Sequence, residues 1–155
     1  NEAIVNFLLT CPTILSHRVY FNFADENAME NSSHVTTESD KVIKRYIDGG
    51  LLKSYTFTVA MYLSADFIPV KPSDASTDGN IEDMSLVQEV LDWINAQGEN
   101  SNFPNFGTNI VVDEMRTLNQ IPSIDGIDTS VNPPIVRYSI GVNIQYLDNN
   151  KVLWN

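Results

Sequence analysis

"VIKRYIDGGLLKSYTFTVAMYL", residues 42–63, reads as two strands folded about a glycine pair. From Tyr55 onward the alternation is regular: Tyr55, Phe57, Val59, Met61 and Leu63 point to one side, and Ser54, Thr56, Thr58 and Ala60 to the other. That period of two is the signature of a half-buried strand. A three-residue loop at Asp48-Gly49-Gly50 pairs Ile47 with Leu51 and Ile43 with Tyr55, placing both isoleucines on the apolar face. A two-residue loop would put Val42, Lys44 and Tyr46 there instead. The three-residue loop is the reading adopted, with glycines supplying the positive φ it needs. Ile43, Ile47, Tyr55, Phe57, Val59 and Met61 are then core, while Val42, Lys44, Tyr46 and Leu52 lie on the second face.

Working outward, Ile4, Phe7, Leu8 and Cys11 fall at helical spacing over 1–10, with Pro12 closing the segment. Arg18 to Phe23 is β-rich, 24–33 has loop composition, and 34–38 predicts a short edge strand. Residues 64–80 form a long polar connection that ends at Asn80, a predicted N-cap with Glu82 and Asp83 in the first turn. Met84, Val87, Val90, Leu91 and Ile94 make the stripe of a second helix, with Gly98 suited to the position after its last turn. Phe103 and Phe106 flank Pro104 and predict a plug under that helix more than an exposed anchor. Strands follow at 108–118 and 136–146, separated by a second long loop at 121–134. The expected fold is α+β: a mainly antiparallel sheet of about five strands, two amphipathic helices packed on one face, and a single domain over 1–155.

Composition narrows the function. The 155 residues carry 9 Lys+Arg and 20 Asp+Glu, and residues 72–155 hold 3 of the bases and 12 of the acids. Such a surface disfavours gripping DNA or RNA, which rests on neutralising phosphates. No run reaches the roughly 18 to 20 apolar residues of a membrane span, and no basic segment precedes an apolar one at the start, so neither a membrane partner nor targeting is expected. One cysteine, Cys11, forms no intramolecular disulfide and points to a reducing setting, which makes the Asn31-Ser32-Ser33 sequon a chance match.

Chemistry has little to stand on. His17 and His34 are the only histidines and match no metal-protease spacing. Cys11 beside Pro12 reads as a buried thiol far more than a nucleophile partnered by His17. Asp74, Asp78, Glu82 and Asp83, or Asp125 and Asp128, could gather a cation by oxygen ligation, yet neither set fits a calcium loop. No phosphate-binding glycine loop or nucleophile elbow occurs. No catalytic, cofactor or metal residue is expected.

The order "IVNFLLTCP", "VIKRYIDGG" with its aromatic strand, "LDWINAQG" with "FPNF" beyond it, and "VRYSIGVNIQY" resembles the minor capsid protein family of tailed bacteriophages over nearly the whole chain. Matching positions are Phe7, Cys11 and Pro12, then Lys44, Tyr46, Asp48 and Gly49, then Trp93, then Phe103, Pro104 and Phe106, and finally Arg137, Tyr138 and Tyr146. The 64–80 and 121–134 segments are longer than in that family. The resemblance implies a virion protein made in the bacterial cytoplasm. It would be a tail terminator that caps the tail tube as a six-fold homo-oligomeric ring and joins the head connector, with DNA passing nearby unbound. Its expected contact residues are Val42, Lys44, Tyr46, Asp48, Gly49, Gly50, Leu52, Phe103 and Phe106, with Asp113, Glu114, Asp125 and Asp128 as acids for the lumen. Another neck or tube-related virion protein is the alternative, and a small enzyme or ligand-binding domain using Cys11 or an acidic loop is the rival from a different class.

Overall fold

The computed structural model describes residues 2–14, 18–21, 32–64, 79–130 and 134–150, and at 18–21 and 79–83 the backbone alone. The elements run α1 (Glu2–Leu8), β1 (Arg18–Phe21), β2 (Ser32–Arg45), β3 (Leu51–Ser64), α2 (Gly79–Glu99), β4 (Ile110–Thr117), β5 (Ser123–Asp128) and β6 (Ile135–Asp148). One six-stranded sheet holds them in the order β1-β2-β3-β6-β4, with β5 also on β6. Every pairing is antiparallel except that of β1, which runs parallel to β2. The class is α+β as expected.

The centre is the β3–β6 pair. Fourteen residues of each strand stay in register without a break, from Leu51 opposite Asp148 to Ser64 opposite Ile135. Because cross-strand partners share a face, Tyr55, Phe57, Val59, Met61 and Leu63 meet Ile144, Val142, Ile140, Tyr138 and Val136, all buried. Both helices lie on that face. Ile4, Phe7 and Leu8 of α1 and Val87, Val90, Leu91 and Ile94 of α2 complete one apolar cluster. Phe7 and Trp93 join the helices, their rings 5.0 Å apart. The far face has a polar centre: Asn143 donates to Ser54 Oγ (2.7 Å) and Thr56 Oγ1 (2.9 Å), which satisfies its buried amide.

The hairpin register departs from expectation. Its loop has three residues, but they are Ile47, Asp48 and Gly49, one position earlier than predicted. Gly49 takes the left-handed position (φ 93°), and its N–H donates to the Tyr46 carbonyl (3.0 Å). Asp48 in the middle lets its carboxylate accept the Gly50 N–H at 2.9 Å, a local bond that the other placement forgoes. A bulge between Val42 and Lys44 then shifts the pairing further, so that Asp40, not Ile43, faces Tyr55, and a second bulge between Thr37 and Ser39 shifts it again beyond that pair. Ile43 and Ile47 are therefore not core: Ile43 is 52% exposed and Ile47 wholly exposed at the tip.

Other boundaries moved for identifiable reasons. β2 starts at Ser32, inside the segment read as a loop, because β3 offers it a ladder through Tyr62 and β1 another on the opposite side. Ser123–Asp128 is a strand although its composition is that of a loop. β4 pairs with β6 only over its Val142–Asp148 end, and β5 takes up the bare backbone from Ile135 to Ser139. Where the two break, Asn119 Oδ1 accepts the Gly141 N–H (3.0 Å), and the Leu118 N–H donates to the Gly141 carbonyl (2.8 Å). Asn80 lies within α2, not before it. Most of the predicted 64–80 connection falls outside the described residues.

Gly98 is also inside α2. The cap falls on Ser101, with φ 56°, whose N–H reaches the Gly98 carbonyl (3.2 Å) while the Asn102 N–H reaches that of Gln97 (2.9 Å). Gly98 serves close approach, since a Cβ there would stand 2.2 Å from the Met115 carbonyl oxygen of β4. Helix propensity alone favours alanine by about 1 kcal/mol. Because the obstacle is backbone, Gly98→Ala is expected to destabilise by about 1–3 kcal/mol instead, measured by urea unfolding. In the same assay Ile47→Ser should stay within about 0.5 kcal/mol of wild type, whereas Phe57→Ala should cost about 3–5 kcal/mol.

Candidate interaction surface

Near the hairpin tip Val42, Ile43, Tyr46 and Ile47 are all exposed; the bulge at Ile43 sets Val42 on the helix-covered face with Lys53, apart from Lys44, Tyr46 and Leu52, which were expected beside it on the other face. Basic residues are threaded through it. Lys41, Lys44 and Arg45 are exposed, and among the described residues none of them makes an ion pair. The Lys44 ammonium lies 5.0 Å from the centre of the Tyr46 ring. Asp48 and Gly49 form the turn, and Gly50 is buried behind it, where a Cβ would come within 3.1 Å of Asn149 Oδ1. Leu52 is half-buried, paired with Lys44 on one side and Leu147 on the other.

The stem of the hairpin is fastened to the body. Lys53 Nζ lies 3.1 Å from Asp148 Oδ2. The Asp148 carboxyl is held below its usual range, first by the Asn150 N–H and then by Lys53. The Tyr146 hydroxyl donates to Asp40 Oδ1 at 3.1 Å, across the width of β3, and the Tyr55 hydroxyl shares a hydrogen with Thr37 Oγ1 at 2.6 Å. Phe106 closes this group against Tyr146 (5.5 Å between rings) and Tyr55 (6.4 Å). Phe103 and Phe106 are thus half-buried plugs packed against the core, and a hollow of about 230 Å³ remains between Asp40, Tyr55, Phe106, Ile110 and Tyr146. Phe103 and Pro104 also border a shallow cleft beside α1.

On the opposite edge of the sheet, β4 and β5 carry the acids. Asp113 and Glu114 are exposed on β4, with Asp113 in the bulge between Val112 and Glu114. Arg116 approaches Glu114 only to 3.9 Å. Asp125 accepts from Ser139 Oγ (2.9 Å) and faces Arg137 at 3.7 Å. Asp128 accepts the Ser130 N–H (2.9 Å), and its carboxyl is lowered by the Ser130 hydroxyl and amide. The four acids lie along one sheet edge and not in separate loops. Exposed Val111, Leu118, Ile121, Ile124 and Ile127 accompany them. The sequence reading missed this apolar set, although the Ile-x-x-Ile spacing of 121, 124 and 127 was visible.

The remaining chemical candidates do not gather. Cys11 is fully buried in the core cluster. His34 is buried on the far face with its ring 5.1 Å from that of Tyr62. His17, Asp74 and Asp78 lie outside the described residues, as do the side chains of Glu82 and Asp83. Among the described residues no three His, Cys, Asp or Glu side chains come together as a metal site, and no helix is long and apolar enough to cross a membrane. Compared with known proteins, the chain matches no family model and no curated sequence.

Burial, and then the charge of Asp40, push the Tyr146 hydroxyl far above its ordinary value. A raised acid stays protonated in the fold while its unfolded counterpart ionises, so its contribution is present below the unfolded value of about 10 and declines as pH rises beyond it. Wild-type stability should fall between about pH 9.5 and 11. Tyr146→Phe should be less stable at pH 7, by about 1 kcal/mol for the lost bond to a charged group, and should show a shallower alkaline decline in urea titrations.

Proposed function

We propose that this chain is a structural protein of a tailed-phage virion, a tail terminator that closes the end of the tail tube as a ring and joins it to the head connector. The observation that carries the reading is the hairpin tip. Val42, Ile43, Tyr46 and Ile47 are held in water on a stem fastened by Lys53–Asp148 and Tyr146–Asp40. A monomer gains nothing from keeping four large apolar side chains exposed at the end of one sheet edge, whereas a subunit gains a contact surface.

The order of sequence features that resembles the phage family supplies the identity of the assembly. Its landmarks fall at structurally distinct places: Phe7 against Trp93 between the helices, Gly49 at the turn, Phe106 against Tyr146 at the stem. The mechanism is one of association: ring formation on the tube end, then docking of the connector. A net charge of −11 suits a protein past which DNA must slide, because like charge denies phosphates a hold. On this reading Asp113, Glu114, Asp125 and Asp128 are available to the lumen or to a neighbouring subunit.

The test is electron microscopy of particles made with and without the gene. Its loss should give tails of irregular length that fail to join heads. Uniform tails joined to heads in its absence would sink the assignment.

A further inference from the structure

The two exposed patches occupy opposite edges of one sheet and carry opposite charge. We infer that they are the two halves of a single head-to-tail contact, in which the outer edge of β2 in one copy meets the β4 edge of the next. This rests on the ring reading above and names its surfaces.

Three observations fit the halves together. The first is level. Across the ladder, Lys41 pairs with Ser54, Ser54 with Gln145, and Gln145 with Glu114; Lys44, Leu52, Leu147 and Val111 form a neighbouring rung. Cross-strand partners share a face, so Lys41 and Glu114 stand at the same height and on the same side of the sheet, at its two ends. A second copy set edge to edge brings base onto acid and Lys44 beside Val111.

The second is polarity. β2, β3, β6 and β4 alternate in direction. A copy in the same orientation therefore lays its β2 antiparallel to β4, the arrangement that continues a ladder. Among the described residues β1 covers β2 only from Ser32 to Val35, and on β4 the Thr117 N–H donates to Asn95 and the Met115 carbonyl lies against Gly98 of α2, so the hairpin half of β2 and the Ile110–Glu114 half of β4, which stand at the same level, are the stretches left without a partner.

The third is selectivity. Lysines and bulges are devices that stop a free strand edge from pairing with any edge it meets. Here Lys41 and Lys44 flank the Ile43 bulge on one side, and Asp113 occupies a bulge on the other. Over 41–48 Lys41, Lys44 and Arg45 outnumber Asp48, and on β4 Asp113 and Glu114 outnumber Arg116, so the unlike pair of edges is the favoured one. Such a heterologous contact builds rings or filaments and not closed two-fold dimers.

Charge reversal tests this on the full chain. Lys41→Glu with Lys44→Glu makes both edges acidic, and Asp113→Lys with Glu114→Lys makes both basic. All four positions are exposed, and thermal melts followed by circular dichroism establish that each variant is folded. By sedimentation equilibrium at sub-millimolar protein, the wild type should self-associate, and less strongly as salt is raised. Each variant alone should associate about 100-fold more weakly, and an equal mixture should recover wild-type association. A wild type that is monomeric at its solubility limit, association indifferent to salt, or a mixture no better than its parts would overturn the contact. These outcomes are separable from the virion assignment: normal tails without the protein defeat that assignment whatever the sedimentation result, and a monomeric wild type defeats the contact whatever the tails show.

Discussion

The unbroken β3–β6 ladder is the constraint on which the rest of the structure depends. Fourteen consecutive pairs fix which side chains share a face, and that face gathers Phe57, Val59, Met61, Tyr138, Ile140, Val142 and Ile144 into a strip wide enough to seat two helices. At roughly 1.5–3 kcal/mol for each fully buried large apolar side chain, those seven residues dominate the stabilisation of the sheet. A slip of one residue in either strand would turn that strand's share of them to the far face, where Asn143, Ser54 and Thr56 now satisfy one another. The outer strands have no comparable demand on them. β2 and β4 both carry bulges, β4 and β5 share one lane with a break, and β1 is only four residues long.

Freedom at the margins is what makes the edges usable. Among the described residues the distal part of β2 is exposed, and the bulge at Ile43 turns an otherwise core-like alternation outward. Leaving Ile47 and its neighbours in water forgoes burial that a longer helical layer would have supplied. The stem is nevertheless stiff, held by Lys53 and Asp148 and by the Tyr146 hydroxyl on Asp40. A chain with an excess of acids has also placed three of its nine bases, Lys41, Lys44 and Arg45, within five residues of the hairpin.

Tyr55 to Leu63 and Val136 to Tyr146 were legible because strong period-two alternation over nine or more residues has one reading, and the structure buries the residues assigned to the core. The stripe of α2 was legible for the same reason. Ile47 was misplaced because a glycine pair admits adjacent three-residue loops, of which the observed one lets Asp48 reach the Gly50 amide, and Ile43 because a bulge between Val42 and Lys44 takes it out of the ladder. β5 was unreadable as a strand, since Ser-Ile-Asp-Gly-Ile-Asp has turn composition and is extended only because β6 leaves backbone groups to be paired. Gly98 looked like a helix stop, and only the position of the Met115 carbonyl reveals it as a contact point.

The sequence by itself determined the class of the fold, the faces of β3, β6 and α2, the burial of Cys11 and the concentration of bases in the hairpin. These are local patterns, set by period and composition within a single segment. Tertiary structure alone decided that the basic hairpin and the acidic β4 strand stand at the same height on opposite edges of one sheet. Lys41 and Glu114 are 73 residues apart in the chain, and their relation passes through two intervening strands whose registers are set by side-chain packing and bulges. No pattern confined to either segment contains that information.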